Sequence, residues 1–278
     1  MTTISPEHAK NPSPELEKKY IEDSLWVVQD FFRSQAETLR EAHGNIGFDT
    51  KDADNSPVTK LDRAVERDFK KALRMYDPDC GFLGEEYGSE GSTETYWLID
   101  PIDGTRAFIE GREGCSNMAT LVHHDKAVAA VVYDFLNDTM YSADADGAYE
   151  NGEPISTPEP NGAPRIFIES KERELLYPLA ELLGYEPADS KYRYSGMKWV
   201  GLAKGEIDAT LVVHGFAGLH DLGPAFIAQQ AGVSIKGADG TPWRPSMLNV
   251  FAGRTQQDVE KLSILADCHR TMRANDPK

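Results

Sequence analysis

The stretch Trp97-Leu98-Ile99-Asp100-Pro101-Ile102-Asp103-Gly104-Thr105 decides how the rest of this chain is read. Three bulky apolar residues predict a buried strand. Two carboxylates three positions apart follow directly, so the predicted strand ends in paired acids. Pro101 fixes its own φ and has no N–H, so it turns the chain without competing for hydrogen bonds. Gly104 lets backbone approach a ligand closely. Thr105 opens a predicted short helix toward Ile109. Two readings fit these residues. Acids at a strand end can ligate a hard cation, and the free N–H groups of the next helix can hold a phosphate beside them. The same acids can instead cap a turn by accepting backbone N–H bonds. For an isolated pair of this kind the capped turn is the better reading, so other stretches must decide.

Three stretches do. Gly84-Glu85-Glu86 follows the apolar Phe82-Leu83, which predicts acids at a second strand end; alone it also reads as a solvated loop. Asn55-Ser56-Pro57-Val58-Thr59-Lys60-Leu61-Asp62 leads into a helix, and alone reads as a capping segment. His220-Asp221-Leu222-Gly223-Pro224 opens a small-residue helix with proline in its first turn, which makes Asp221 an expected N-cap.

Working outward, apolar residues at Leu16, Ile21, Leu25, Val28, Phe32 and Leu39 predict a helix from Pro14 to about Ala42, with acids in its first turn. A polar loop is expected over Gly44–Asn55. A second helix is expected over Lys60–Met75, with Ala64, Val65, Phe69 and Leu73 inward. Ala119–His123 and Ala127–Tyr133 predict a hairpin around Asp125, and Met140–Ala143 with Gly147–Tyr149 predict another. Asn151-Gly152 is a turn signal. Three prolines and a glycine within residues 157–164 predict a seam. Beyond it, strands at Arg165–Glu169 and Ala209–Val213 alternate with helices at Glu172–Leu183, Lys198–Lys204 and Gly223–Ala231. The expected organisation is a flexible tail over residues 1–14, an α+β half over 15–158 and an α/β half over 159–278.

The chain has 278 residues, with 29 Lys and Arg against 46 Asp and Glu, a formal charge of −17. That balance argues against nucleic acid, whose phosphates need basic stripes, and against anionic membrane surfaces. Three cysteines without a CxxC pair predict neither a disulfide framework nor structural zinc, and point to a reducing, cytoplasmic setting. The first residues show no signal-peptide pattern, and no apolar run approaches the ~18 residues of a membrane span. His123 and His124 fall in the predicted hairpin turn, where a zinc site would need further ligands. Trp26, Phe31 and Phe32 read as core or subunit contact.

Taken in order, Gly84-Glu85-Glu86, Asp100-Pro101-Ile102-Asp103-Gly104-Thr105 and Asp221 resemble the magnesium-dependent, lithium-sensitive phosphatases of the inositol monophosphatase type. Ser56-Pro57-Val58-Thr59-x-x-Asp62, Gly147-Ala148-Tyr149-x-Asn151-Gly152 and Ala203-x-Gly205-x-x-Asp208-Ala209 match as well. The resemblance covers roughly residues 15 to 255. It implies a layered α-β-α-β-α sandwich of the inositol monophosphatase/fructose-1,6-bisphosphatase type. It implies that Glu85, Asp100, Asp103, Asp221 and the carbonyl of Ile102 are ligands of two or three Mg²⁺ ions. Asp103, Gly104 and Thr105 become phosphate-binding. Thr105 and Asp62 become a hydrogen-bonded pair that orients the attacking water, with Glu85 acting alongside them through the metal. A homodimer is the common assembly of the family. The implied substrate is a small soluble phosphate ester: inositol 1-phosphate by default, with histidinol phosphate, fructose 1,6-bisphosphate and adenosine 3′,5′-bisphosphate as siblings. A non-catalytic family member that binds a ligand or partner is the reading of another class.

Two departures bear on that implication. The family usually has a lysine four residues before the serine of the Ser-Pro-Val-Thr stretch, where this chain has Asp52 and carries Lys51 one residue earlier. Either the loop shifts by one or this lysine is used differently. Inositol-selective members have a glutamate shortly before the last metal aspartate, and Asp208–Asp221 contains none. Ser195, Arg193 and His214 are the candidate substrate contacts in its place, with a structural role equally open to His214.

Overall fold

The computed structural model describes residues 16–51, 57–213, 219–244, 247 and 249–275. The expected tail over residues 1–14, and His214, lie outside these residues. The first part runs α1 (Lys18–Ala42), β1 (Phe48–Thr50), β2 (Pro57–Thr59), α2 (Lys60–Tyr76), β3 (Gly81–Gly84), β4 (Gly88–Glu90), β5 (Thr95–Asp103), α3 (Thr105–Glu110), β6 (Ser116–His123), β7 (Lys126–Asp134), β8 (Thr139–Asp144), β9 (Gly147–Glu150) and β10 (Glu153–Ile155). The second runs β11 (Arg165–Glu169), α4 (Arg173–Leu182), β12 (Glu186–Pro187), α5 (Ser195–Lys204), β13 (Ala209–Val212), α6 (Leu222–Gln230), β14 (Ser234–Gly237), β15 (Val250–Gly253) and α7 (Gln256–Asn275).

Among the described residues, β10-β9-β8-β7-β6-β5-β3-β4 form one sheet and β12-β11-β13-β15-β14 another, with β1 and β2 as a separate pair. The first sheet is antiparallel except where β3 lies parallel to β5. In the second, β11 is parallel to β12 and to β13, and the other pairs are antiparallel.

Burial orders these sheets into layers. The outer face of the first sheet packs on α1 and α2 through Val28, Phe32, Val65, Phe69, Trp97 and Val131. Its other face meets α5 and α6 through Met118, Val132, Val200, Ala203 and Ile227. The opposite sides of those helices cover the second sheet through Trp199, Leu202, Ala225, Val212 and Val250. Finally α4 and α7 cover the far face of that sheet through Leu176, Ala180, Leu262 and Leu265. The order is helix, sheet, helix, sheet, helix, the layering expected. It follows from which strands are apolar on both faces: β7 and β13 are buried along almost their whole length, so each needs cover on two sides.

Several local expectations change. α1 starts at Lys18, so its first turn holds no acid. The loop after it contains β1. β5 does not stop at the aspartates but runs on through Asp103. The turn between β6 and β7 holds His124 and Asp125 at φ of 46° and 60°, the left-handed pair that a tight hairpin requires. Phe31 and Phe32 are core, whereas Trp26 is 68% exposed. Helix α7 and strands β14 and β15 carry weak patterns and were not expected from sequence.

Phe69 joins the outer helices to the first sheet. Its ring lies 5.6 Å from Phe31, 5.8 Å from Phe32, 6.5 Å from Phe82 and 6.2 Å from Trp97, all centroid to centroid. Phe69→Ala should lower unfolding free energy in urea by about 3–5 kcal/mol; a loss below about 1 kcal/mol would refute its place at the centre of that layer. The cysteines give a second check. Burial pushes Cys80 up to about 11 and Cys115 up to about 12. Both therefore remain thiols at pH 8, and the thiolate is the reactive form. Cys268 is partly exposed. The native protein should react with one equivalent of a thiol reagent at pH 8 and with three after denaturation.

Candidate metal and phosphate site

The parallel pairing of β3 with β5 sets Gly84 opposite Ile99. Parallel strands leave the sheet at the same end, so Glu85, the residue after β3, emerges beside Asp100. Asp100 pairs across to Met118, and the ladder resumes at Asp103 with Ser116. Three steps along β5, from Asp100 to Asp103, thus face two along β6, from Met118 to Ser116. Residues three apart on a regular strand point to opposite faces; one extra residue brings them round to the same side. Pro101 suits this bulge because it has no N–H to leave unpaired, and its carbonyl accepts the Asn117 side-chain amide at 2.5 Å.

The chain then turns through Gly104, at φ 79°, into α3. A Cβ at Gly104 would stand 2.9 Å from the Tyr194 ring, so both the dihedral and the space demand glycine. Thr105 Oγ1 donates to the Ile102 carbonyl at 3.0 Å and lies 3.3 Å from Asp62 Oδ1. Asp62 is fixed from its other side. It forms a capping box at the start of α2, with Oδ2 accepting Thr59 N–H at 2.7 Å and Thr59 Oγ1 at 2.6 Å. The capping role read for Asp62 and the pairing with Thr105 therefore coexist, one on each carboxylate oxygen.

Asp221 stands at the expected N-cap position of α6, but its side chain makes no capping bond to that helix. Oδ1 instead accepts Ser195 Oγ and Trp199 Nε1, each at 2.6 Å, with Lys198 Nζ at 3.6 Å. All three donors lie on α5. The start of the same helix supplies Gly196 N–H to Asp103 Oδ2 at 2.7 Å. Helix α5 thus ties the last aspartate to the first sheet. Sequence reasoning gave Ser195 a substrate contact and passed over Trp199 and Lys198; the signal was their one-turn spacing from Ser195 on an otherwise apolar helix.

Lys51 reaches the site from the loop after β1. Its ammonium lies 2.7 Å from Glu85 Oε1 and 2.5 Å from Glu86 Oε1. Of the two alternatives for this lysine, the structure has it at the acids. Arg193 is exposed at the end of a 3₁₀ turn over Ser190–Arg193.

Electrostatics sort the acids. Burial, then the charges of Glu85 and Asp103, pushes Asp100 well above the usual carboxylate range. Burial, against the Gly196 N–H and with the Asp221 charge, pushes Asp103 up to about 7. Burial also pushes Asp62 up to about 6, partly offset by the Thr59 hydroxyl and N–H. Burial acts on Glu85 in the same sense, but Lys51 and then His220 outweigh it and hold it below the usual range. Asp100 and Asp103 are thus short of positive charge.

A divalent cation fits that deficit. Asp100 Oδ1 is buried and accepts no hydrogen bond, an acceptor aimed at nothing the described residues supply. The donors are carboxylate and carbonyl oxygens, the ligands that hard cations take. Among the described residues, no three acidic, histidine or cysteine side chains converge as a closed cation site. Glu85 pairs with Lys51, and Asp221 is bonded to α5.

Comparison with known proteins agrees with this geometry. The sequence profile of the inositol monophosphatase family matches residues 22–271. The 3′(2′),5′-bisphosphate nucleotidase CysQ of Escherichia coli is 38% identical over 95 residues, 33% of this chain and 39% of the relative. A fructose-1,6-bisphosphatase/inositol-1-monophosphatase of Aquifex aeolicus is 31% identical over 142 residues, 50% of this chain and 52% of the relative. A histidinol-phosphatase of Chlorobaculum parvum is 32% identical over 123 residues, 43% of this chain and 48% of the relative. The aligned stretches thus span two fifths to one half of those relatives' lengths. The fold of the Thermotoga maritima IMPase superposes with a TM-score of 0.78 at 19% identity, covering 90% of this chain and 99% of that one. An IMPase/NADP phosphatase structure that contains NADP and Ca²⁺ superposes at 0.74 with 17% identity, covering 88% and 95%. The ordered acids, the bulged strand that carries two of them and the five layers share one explanation: the chain belongs to the inositol monophosphatase family.

Proposed function

We propose that this chain is a magnesium-dependent phosphomonoesterase acting on a small soluble phosphate ester in the cytoplasm. The observation that carries the reading is the buried, undersupplied pair Asp100 and Asp103, set between Glu85 on one side and Asp221 on the other. Such an arrangement is costly unless a cation and its anionic ligand complete it.

Glu85, Asp100, Asp103, Asp221 and the Ile102 carbonyl would hold the ions. Bound Mg²⁺ supplies charge neutralisation for the phosphoryl group and lowers the pKa of coordinated water. The protein's own groups do the rest. The Thr105 hydroxyl has one proton and two acceptors in reach, the Ile102 carbonyl and Asp62 Oδ1; with that carbonyl given to an ion the proton would go to Asp62, and the Thr105 oxygen would accept a hydrogen bond from water and so orient it. The N–H groups at the start of α3, which follows Asp103 and Gly104, would be the backbone donors to the phosphate. Trp199, Ser195 and Lys198 hold one oxygen of Asp221 and so set the direction of its carboxylate. Lys51 and Lys198 add fixed positive charge at the two ends of the acid row.

Inositol 1-phosphate is the default substrate. The likeness to bisphosphate nucleotidases favours an adenosine 3′,5′-bisphosphate as the second reading. Lithium sensitivity and a homodimer are part of the same proposal.

The deciding measurement is phosphate release from these esters, from histidinol phosphate and from fructose 1,6-bisphosphate, with Mg²⁺, with EDTA, and with added Li⁺. Mg²⁺-dependent turnover of at least one, suppressed by Li⁺, is expected; none from any would favour a binding protein. Asp103→Asn should lose activity by orders of magnitude with its thermal midpoint little changed, and wild-type turnover at saturating Mg²⁺ would sink the assignment. Trp199→Phe keeps the ring and removes the N–H donor to Asp221, so its half-saturating Mg²⁺ should rise about tenfold in titration calorimetry. Because the chain carries −17 and the ester is an anion, kcat/KM should rise with moderate salt as repulsion is screened; a falling profile would contradict this.

A further inference from the structure

Glu66 lies on α2 and is fully buried. No element of the mechanism uses it, yet both backbone N–H groups that it accepts belong to the loop that carries Glu85. Its Oε2 accepts the Glu86 N–H at 2.7 Å and its Oε1 accepts the Tyr87 N–H at 3.2 Å. Lys70, one turn further along α2, pairs with Oε1 at 2.9 Å and sits over the Tyr87 ring at 5.3 Å. Gly84 completes the fit, since a Cβ there would stand 1.8 Å from Glu66 Oε1.

We infer that Glu66, neutralised by Lys70, is the positioning residue for Glu85: a clamp from α2 that holds the loop between β3 and β4 so that Glu85 stands beside Asp100. This rests on the reading of Glu85 as a cation ligand. The physical argument has three parts. A buried carboxylate is stable only when paired and hydrogen-bonded, and here the partners are Lys70 and two backbone N–H groups. Those N–H groups belong to the residues immediately after Glu85, so fixing them fixes the direction in which the Glu85 side chain leaves the backbone. Finally α2 also carries Asp62, so one rigid helix sets the positions of two members of the site, through Asp62 at its first turn and Glu66 at its second.

Glu66→Gln tests it. Gln has one acceptor and one donor where Glu66 has two acceptors, so one loop N–H would face an N–H₂ group. In the full-length, metal-free protein, hydrogen exchange at the Glu86 and Tyr87 amides should quicken by about tenfold or more, the scale of one charged hydrogen bond. By calorimetry with Mg²⁺ alone, the dissociation constant should rise about tenfold, while kcat at saturating Mg²⁺ changes little. Lys70→Met keeps the carboxylate's acceptors and removes the pair, and should shift both readouts in the same direction; it serves if Glu66→Gln does not fold. Glu90→Gln, on the exposed β4, should alter neither. Wild-type exchange and wild-type Mg²⁺ affinity in the two variants would overturn the inference, as would a lowered thermal midpoint with both unchanged. A wild-type protein that cleaves no ester would remove the phosphatase reading instead, and the exchange rates would still decide the clamp.

Discussion

Asp62, the pair Asp100 and Asp103, and Asp221 lie far apart along the chain but are all buried around one site, and like charges in a medium of low polarity repel strongly. Nothing in a hydrophobic core gathers such groups of its own accord. Each must be held by something stronger than the repulsion, and the architecture around the site can be understood as the set of those restraints. Asp62 is held by the capping box of α2, Asp103 by an N–H at the start of α5, and Asp221 by an indole N–H and a hydroxyl from the same helix. Asp100 is held least, and one of its oxygens has no partner.

The restraints come from different layers. Helix α2 belongs to the outermost helical layer, β5 to the first sheet, and α5 and α6 to the helices between the sheets. Packing of the layers therefore sets the geometry of the acids, and the large aromatic contacts around Phe69 and Trp97 support the site although they lie behind it. The second sheet contributes less directly. Glu169, at the end of β11, pairs with Lys198 at 2.7 Å and so helps to neutralise the lysine that stands next to Asp221. That pair leaves Lys198 charged in spite of complete burial, since Asp221 and Glu169 together outweigh the desolvation that opposes it.

The overall acidity of the chain remains mostly a surface property. Removing Asp62, Glu85, Asp100, Asp103 and Asp221 leaves 41 acids against 29 bases, a balance of −12. On the proposed reading, a cation held at the site would let an acidic protein meet an anionic ester. The site does not account for the remaining charge, which keeps the surface solvated.

The order of the acids, the apolar strand before them, the small-residue helix at Asp221 and the alternation of the second half were all legible in the sequence, because each depends on neighbours within a few residues. Hairpins around Asp125 and Asn151 were legible for the same reason. Strands β14 and β15 and helix α7 were not, since β15 is four residues long and gains its place only by pairing with β13 and β14. In the site, local sequence named Asp62 and Asp221 as caps. The structure keeps Asp62 in a capping box and Asp221 at the N-cap position, but the Asp221 side chain is claimed by α5 instead of capping α6. Glu66 and Trp199 entered only through contacts with residues 20 to 22 positions away, which no local pattern announces, and Lys51, noticed in the sequence, found its partner Glu85 the same way. The sequence by itself determined which chemistry is present and in what order along the chain. Tertiary structure decided which donor holds each acid, because those donors are delivered by other layers.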